Sequence, residues 1–325
     1  MTLLQVQDLR VHLRVRGQRA AAVRGVSFAL ERGRTLALIG ESGCGKTLTA
    51  LALMGLLPPA GAASGSIRLQ ERELTEMSER QWCAIRGDRI AMIFQEPMTA
   101  LNPVHPIGRQ VAEPLRLHRR LPARAARERA AALLARAGIA QAGQRLGAYP
   151  HQFSGGERQR IMVAMALACA PQVLIADEPT TALDTTLQRQ VLALMREPVA
   201  QEGMALILIS HDLGLVGQHA DHLLVMYGGA VMESGPTAQI FRHPAHPYTR
   251  ALLAARPTLA QRLAGHPGEK LPTIAGAVPP LLALPPGCPF AGRCPHTEAR
   301  CHTDPPPEWS AGEEHTVRCH RRETP

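Results

Sequence analysis

Short apolar runs bounded by polar or glycine positions open the chain. Residues 23–30 and 35–39 are rich in β-branched and aliphatic side chains and are parted by Arg32-Gly33, a spacing that predicts short strands joined by a turn. Over residues 107–170 the spacing becomes helical, including the Ala/Arg stretch 122–137, and from Val173 it returns to alternating strands and helices. The helical block therefore reads as an insertion into an α/β core. Residues 205–209 and 223–226 are apolar throughout, as strands covered on both faces must be. A helix is expected over 185–201, and Pro198 should end or kink it. Beyond Leu253 the pattern breaks: Pro and Gly recur over 256–287, and four of the seven cysteines fall in the last 38 residues. This places a 1–254 domain before a separate 255–325 extension.

Composition narrows the class of protein. A chain of 325 residues with 45% hydrophobic content can bury a large core, and it contains no apolar run of the roughly 18 to 20 residues that a membrane-spanning helix needs. The first eight residues lack a basic head followed by an apolar stretch, so the expectation is a cytosolic protein unless a partner holds it at a membrane. A net charge of +9 suits anionic lipid or nucleic acid as a neighbour, but only 3% of residues are aromatic, which leaves little for a groove built on base stacking. The arginines over 116–136 read first as a solvated helix face, with contact to lipid or to a permease as the other reading.

The candidate chemistry lies in motifs of fixed order. Gly40-Glu41-Ser42-Gly43-Cys44-Gly45-Lys46-Thr47 follows the predicted strand 35–39 and precedes good helix formers over 48–57, the context of a phosphate-binding loop. Glycines let backbone N–H groups approach phosphates, Lys46 reaches the terminal phosphates, and Thr47 offers a hydroxyl to Mg²⁺. Cys44 stands near the helix start, where a thiol pKa can be lowered; the expectation is a reactive thiol that ATP would protect. The predicted strand 173–177 ends in Asp177-Glu178, where one carboxylate can serve the Mg²⁺ shell and the next can orient the attacking water, although Asp-Glu can also simply cap a helix. Ser154-Gly155-Gly156-Glu157-Arg158-Gln159 combines a capping serine with two glycines at a positive helix end, an arrangement suited to a γ-phosphate.

That last motif resembles the signature that separates ABC ATPases from other phosphate-loop enzymes. The resemblance implies a phosphate-loop α/β core with N-terminal antiparallel strands, and ATP and Mg²⁺ as ligands. It also implies a head-to-tail pair of cassettes in which Ser154, Gly155 and Gly156 contact ATP held by the other subunit. Gln95 resembles the glutamine that senses Mg²⁺ and the membrane partner, Asp184 the acid of the loop after the two carboxylates, and His211 the histidine that contacts the γ-phosphate. Residues 11–17, where many relatives place an adenine-stacking aromatic, contain none.

The stretch 93–103, the run His246-Pro247-Tyr248-Thr249 and the C-terminal cysteines are similar to the dipeptide and oligopeptide importer branch, which also carries nickel systems. The branch implies a homologous second ATPase subunit, two permease subunits, an extracytoplasmic solute-binding protein as an indirect partner, and a place on the cytoplasmic face of the inner membrane. Cys288-x5-Cys294-x6-Cys301-x17-Cys319 offers four soft ligands. Disulfides are disfavoured in a cytosolic ATPase, zinc usually has a closer first pair, and free thiols are the plain alternative. In relatives the pattern holds a four-iron, four-sulfur cluster. Cys83, Cys169 and Trp82 read as packing residues. Two other classes compete with an importer motor: a soluble ABC ATPase acting on nucleic acid, which usually carries a coiled-coil insertion or two cassettes, and a redox-regulatory metal protein with an incidental ATPase.

Overall fold

A computed structural model describes residues 2–95, 100–181, 183–255 and 273–322. Glu96, Pro97, Met98 and Thr99, part of the stretch similar to the importer branch, lie outside the described residues, as does most of the Pro/Gly segment that begins at Arg256.

Twelve strands are found among the described residues: β1 (Thr2–Val15), β2 (Gln18–Glu31), β3 (Thr35–Ile39), β4 (Gly61–Leu69), β5 (Arg72–Glu73), β6 (Ile90–Ile93), β7 (Val173–Asp177), β8 (Ala205–Ile209), β9 (His222–Tyr227), β10 (Ala230–Pro236), β11 (Glu308–Gly312) and β12 (His315–Arg318). The first sheet is antiparallel in the order β2-β1-β4-β5, and the second runs β11-β12-β10-β9-β3-β8-β7-β6, with β9-β3-β8-β7-β6 all parallel. The opening strands are longer than the sequence pattern predicts. They run 14 residues each because register slips, one of them between Val6 and Leu9, absorb the polar interruptions.

Every residue of β3, β7 and β8 is buried, as the unbroken apolar runs require. Alternation then divides each strand between two cores. Leu174, Ala176, Leu206 and Leu208 face the helical block, whereas Val173, Ile175, Ile207 and Ile209 face the first sheet and the helix Lys46–Leu53. The helical block is built from Ile107–His118, Ala123–Arg136, Ala142–Arg145 and Gly155–Ala166. Arg116, Arg120, Arg124, Arg127 and Arg129 are exposed along it.

Several expectations change on contact with the fold. The helix Thr185–Glu202 continues through Pro198 instead of ending there. Proline removes only one helical N–H, and the helix stops a turn later at Gly203, whose φ of 68° suits glycine and whose N–H bonds to the Pro198 carbonyl. The C-terminal residues, expected as a separate module, return to the main sheet: β12 pairs with β10, Glu233 opposite Val317. The buried Glu233 accepts from the backbone N–H groups of Ala245 and His246 and pairs with the His315 ring 2.7 Å away, so this hairpin shares the core of the domain. Cys83 is exposed, not packed, because it lies on the outer face of the helix Glu79–Ile85, whereas Cys169 and Trp82 are buried. Among the described residues no helix is long and apolar enough to cross a membrane.

Candidate nucleotide site

The loop from Gly40 to Gly45 joins the C-terminal end of β3 to the helix Lys46–Leu53. Gly40 (φ 146°) and Gly45 (φ 99°) take conformations that other residues avoid, and a Cβ at Gly40 would strike the Met226 carbonyl. The loop is thereby wrapped tightly against β9. Lys46 is buried and its Nζ donates to the carbonyls of Gly40 (2.7 Å) and Glu41 (3.1 Å), which holds the ammonium inside the turn of the loop. Gly43 and Ser42 stand at the open side, with nothing near the position a Gly43 Cβ would take.

Because β3, β8 and β7 are parallel neighbours, the residues that follow them collect at one end of the sheet. Asp177 ends β7 beside the Thr47 hydroxyl. Burial raises its pKa, with the Glu178 charge adding, while the Thr47 hydrogen bond and Lys46 oppose the shift. Its Oδ1 is buried with no hydrogen-bond partner. A buried carboxylate oxygen left bare beside a threonine hydroxyl suits a hard divalent cation that takes oxygen ligands, so these residues fit Mg²⁺.

Glu178 adopts φ 47° and its N–H bonds to the Ile209 carbonyl at 2.9 Å. Three side chains from different segments meet its Oε2: Gln95 Nε2 donates at 3.1 Å, the Thr181 hydroxyl at 3.0 Å, and His211 Nδ1 stands 3.4 Å away. Gln95, Glu178 and His211 are all expected from the sequence motifs, whereas Thr181 is not. Its only signal was a hydroxyl three residues after the acid.

Ser154 caps the helix Gly155–Ala166 reciprocally with Glu157: the Glu157 N–H donates to Ser154 Oγ and the Ser154 N–H to Glu157 Oε2, at 3.3 and 2.9 Å. Arg145 holds the same glutamate at 2.7 Å. Gly155 is open, while Gly156 packs on Leu187, whose side chain would lie 2.6 Å from an added Cβ. Leu187 belongs to the helix that Asp184 caps, by accepting from the N–H groups of Thr186 and Leu187 at 2.9 Å each. Among the described residues no hydrogen bond joins 154–156 to the phosphate loop of the same chain.

Cys44 reverses its expectation. It is fully buried, and desolvation raises its thiol pKa against the smaller opposing pull of Lys46. The four C-terminal cysteines line a single small cavity together with Phe290, His296 and Thr297. Among the described residues no three His, Cys, Asp or Glu side chains are closed to metal-ligating geometry, so the thiols are gathered without forming a finished cage.

A phosphate loop and a strand ending in two acids at one end of the parallel strands, with a capped glycine pair opening a helix of the helical block, define an ATPase of the ABC cassette fold. The ABC transporter family model matches residues 23–181, and the model described as oligopeptide/dipeptide transporter, C-terminal region, matches 232–301. The chain is 47% identical over 319 residues to the dipeptide transport ATP-binding protein DppD of Bacillus subtilis, covering 98% of this chain and 94% of that protein. The oligopeptide transport ATP-binding protein OppD of Salmonella typhimurium is 45% identical, over 94% of this chain and 90% of its own. Among solved structures, a dimeric ABC transporter cassette, MJ0796, shares the fold with a TM-score of 0.65 at 22% identity, over 72% of this chain and 98% of that one. CbiO1 of Clostridium perfringens, part of the transporter complex cbiONQ, has a TM-score of 0.62 at 26% identity, over 74% of this chain and 91% of its own. The chain belongs to the ABC transporter family of ATP-binding, ATP-hydrolysing subunits.

Proposed function

We propose that this ATPase powers import of dipeptides or oligopeptides through a membrane permease. Near full-length similarity to peptide-transport ATP-binding proteins carries that reading, and the C-terminal region match extends it beyond the cassette itself. Lys46 and the N–H groups of the loop Gly40, Glu41, Ser42, Gly43, Cys44 and Gly45 bind the phosphates. Thr47, Asp177 and Gln95 would hold Mg²⁺, which supplies charge neutralisation at the β- and γ-phosphates when bound. Glu178 orients and deprotonates the attacking water, held in place by Gln95 and Thr181, while His211 faces the same oxygen from the β8 side. Catalysis of this kind is chiefly positioning and charge stabilisation.

Ser154, Gly155 and Gly156 contact the nucleotide of a second, homologous ATPase subunit, and Asp184 fixes the helix against which Gly156 packs. The assembly comprises two such subunits beneath two permease subunits on the cytoplasmic face of the membrane, fed by an extracytoplasmic solute-binding protein. Cys288, Cys294, Cys301 and Cys319 would hold a four-iron, four-sulfur cluster of structural role. What supports this is the gathering of four thiols around one cavity. Anaerobic purification without iron or visible absorbance would refute the cluster.

The test of transport is uptake of labelled peptides by cells carrying Glu178→Gln in place of the wild type. Loss of uptake with a stabilised ATP-bound dimer supports a peptide-import motor. Intact uptake of every peptide tested moves the cargo to nickel, glutathione or another solute.

A further inference from the structure

The phosphate loop carries a negative charge of its own. Glu41, its second residue, extends away from β3 toward the C-terminal extension, where its carboxylate meets the guanidinium of Arg293 in a two-pronged contact, Nη1 to Oε2 at 2.5 Å and Nη2 to Oε1 at 3.2 Å. These residues are 252 apart in sequence. The arginine side chain is only 7% exposed and the glutamate 22%.

Arg293 is held from several sides. Its Nη1 also donates to the Tyr227 hydroxyl at 3.2 Å, its Nε to the Ala275 carbonyl at 2.8 Å, and its Nη2 to the carbonyls of Ile274 and Gly276. The Glu41 backbone is fixed in turn, because its N–H donates to the Tyr248 hydroxyl at 2.9 Å. Tyr227, Tyr248 and Phe290 pack with ring centroids 4.8 to 5.2 Å apart, which ties β9, the helix Pro247–Ala254 and the extension into one body behind the loop.

A carboxylate within a loop that must receive a polyanion would repel it unless neutralised, and a buried fork-to-fork arginine is a strong way to neutralise it. We propose that Arg293 is a positioning residue for nucleotide binding: it cancels the charge of Glu41 and fixes that side chain away from the phosphates. The inference rests on the ATP-site reading above. Arg293 immediately precedes Cys294, whose side chain lines the four-cysteine cavity, so the extension that reads as a cluster module also supplies the phosphate loop with its counter-charge.

The experiment compares binding of Mg-ATP, Mg-ADP and adenosine to the full chain for wild type, Arg293→Ala, Arg293→Lys, Glu41→Gln and the double variant Arg293→Ala/Glu41→Gln, with KM and kcat measured alongside. Arg293→Ala is expected to weaken ATP about tenfold, ADP less and adenosine hardly at all, because the bare carboxylate acts through phosphate charge. KM should rise while kcat stays within about twofold. Arg293→Lys should fall between, and adding Glu41→Gln to Arg293→Ala should restore most of the ATP affinity. An Arg293→Ala chain that binds ATP as the wild type does overturns the proposal. So does an equal loss for ATP, ADP and adenosine, or a double variant no better than Arg293→Ala. Should Arg293→Ala not fold, Arg293→Lys together with the double variant decides the same question. Wild-type protein that fails to bind ATP at all would instead remove the ATP-site reading.

Discussion

Gln95 and Glu178, 83 residues apart in sequence, are joined by a hydrogen bond from Gln95 Nε2 to Glu178 Oε2 at 3.1 Å. Gln95 follows β6 and Glu178 follows β7, its parallel neighbour, so sheet register alone brings them together. The same oxygen is reached by Thr181 and His211. One carboxylate oxygen thus reports on the end of β6, the turn after β7 and the segment after β8.

Removing the outer member of this group should affect hydrolysis more than binding. His211→Ala is expected to lower kcat on the order of a hundredfold with KM for ATP nearly unchanged, and steady-state ATPase assays check it. A matching rise in KM would instead assign His211 to ground-state binding.

The burial of Cys44 reverses the thiol chemistry expected from its place in the loop. Native protein treated with a maleimide should be labelled at exposed Cys83 and spared at Cys44, with ATPase activity unchanged and no effect of added ATP on labelling at residue 44. Peptide mapping of the modified chain reads the outcome directly.

His246 should make stability fall in mild acid. It is buried, its Nδ1 accepts the Tyr248 N–H at 3.0 Å, and burial lowers its pKa to about 4 against the partial opposition of Glu233. The unfolded chain takes up this proton below an ordinary histidine value of about 6.5, whereas the folded chain resists it until near 4, so folding weakens as pH drops through that window. Between pH 7 and 5 the loss from this site is about 2 kcal/mol. His246→Asn keeps an acceptor for the cap, and urea midpoints at the two pH values should then differ by correspondingly less. The Glu233 carboxyl, lowered overall by its His315 and backbone hydrogen bonds despite opposing burial, adds stability that is lost only at lower pH, as it protonates.

Asp184→Ala should cost about 1 kcal/mol by stripping the cap from the helix Thr185–Glu202. Leu187 leans on Gly156, so a frayed first turn also loosens the glycine pair. ATP-driven association of two cassettes, followed by light scattering, should weaken in this variant, while ATP binding to the isolated chain stays near that of the wild type.

The sequence by itself determined whatever depends on neighbours along the chain. Glycines, lysine and threonine at fixed spacing between an apolar run and helix formers define a phosphate loop because its turn and helix entry are local. Ser154 and Glu157 likewise cap their helix from three residues apart. Apolar runs in β3, β7 and β8 announced strands buried on both faces, since nothing polar interrupts them. Tertiary structure decided what depends on distance. A glycine-rich entry predicts an available thiol, but the packing behind the loop buries Cys44. Proline and cysteine clustering predicts a detached extension, yet Glu233 and His315 draw its hairpin into the main sheet. The Arg293–Glu41 pair spans 252 residues, and no local pattern records it, because an ion pair depends on where two side chains end in space and not on the spacing of either one.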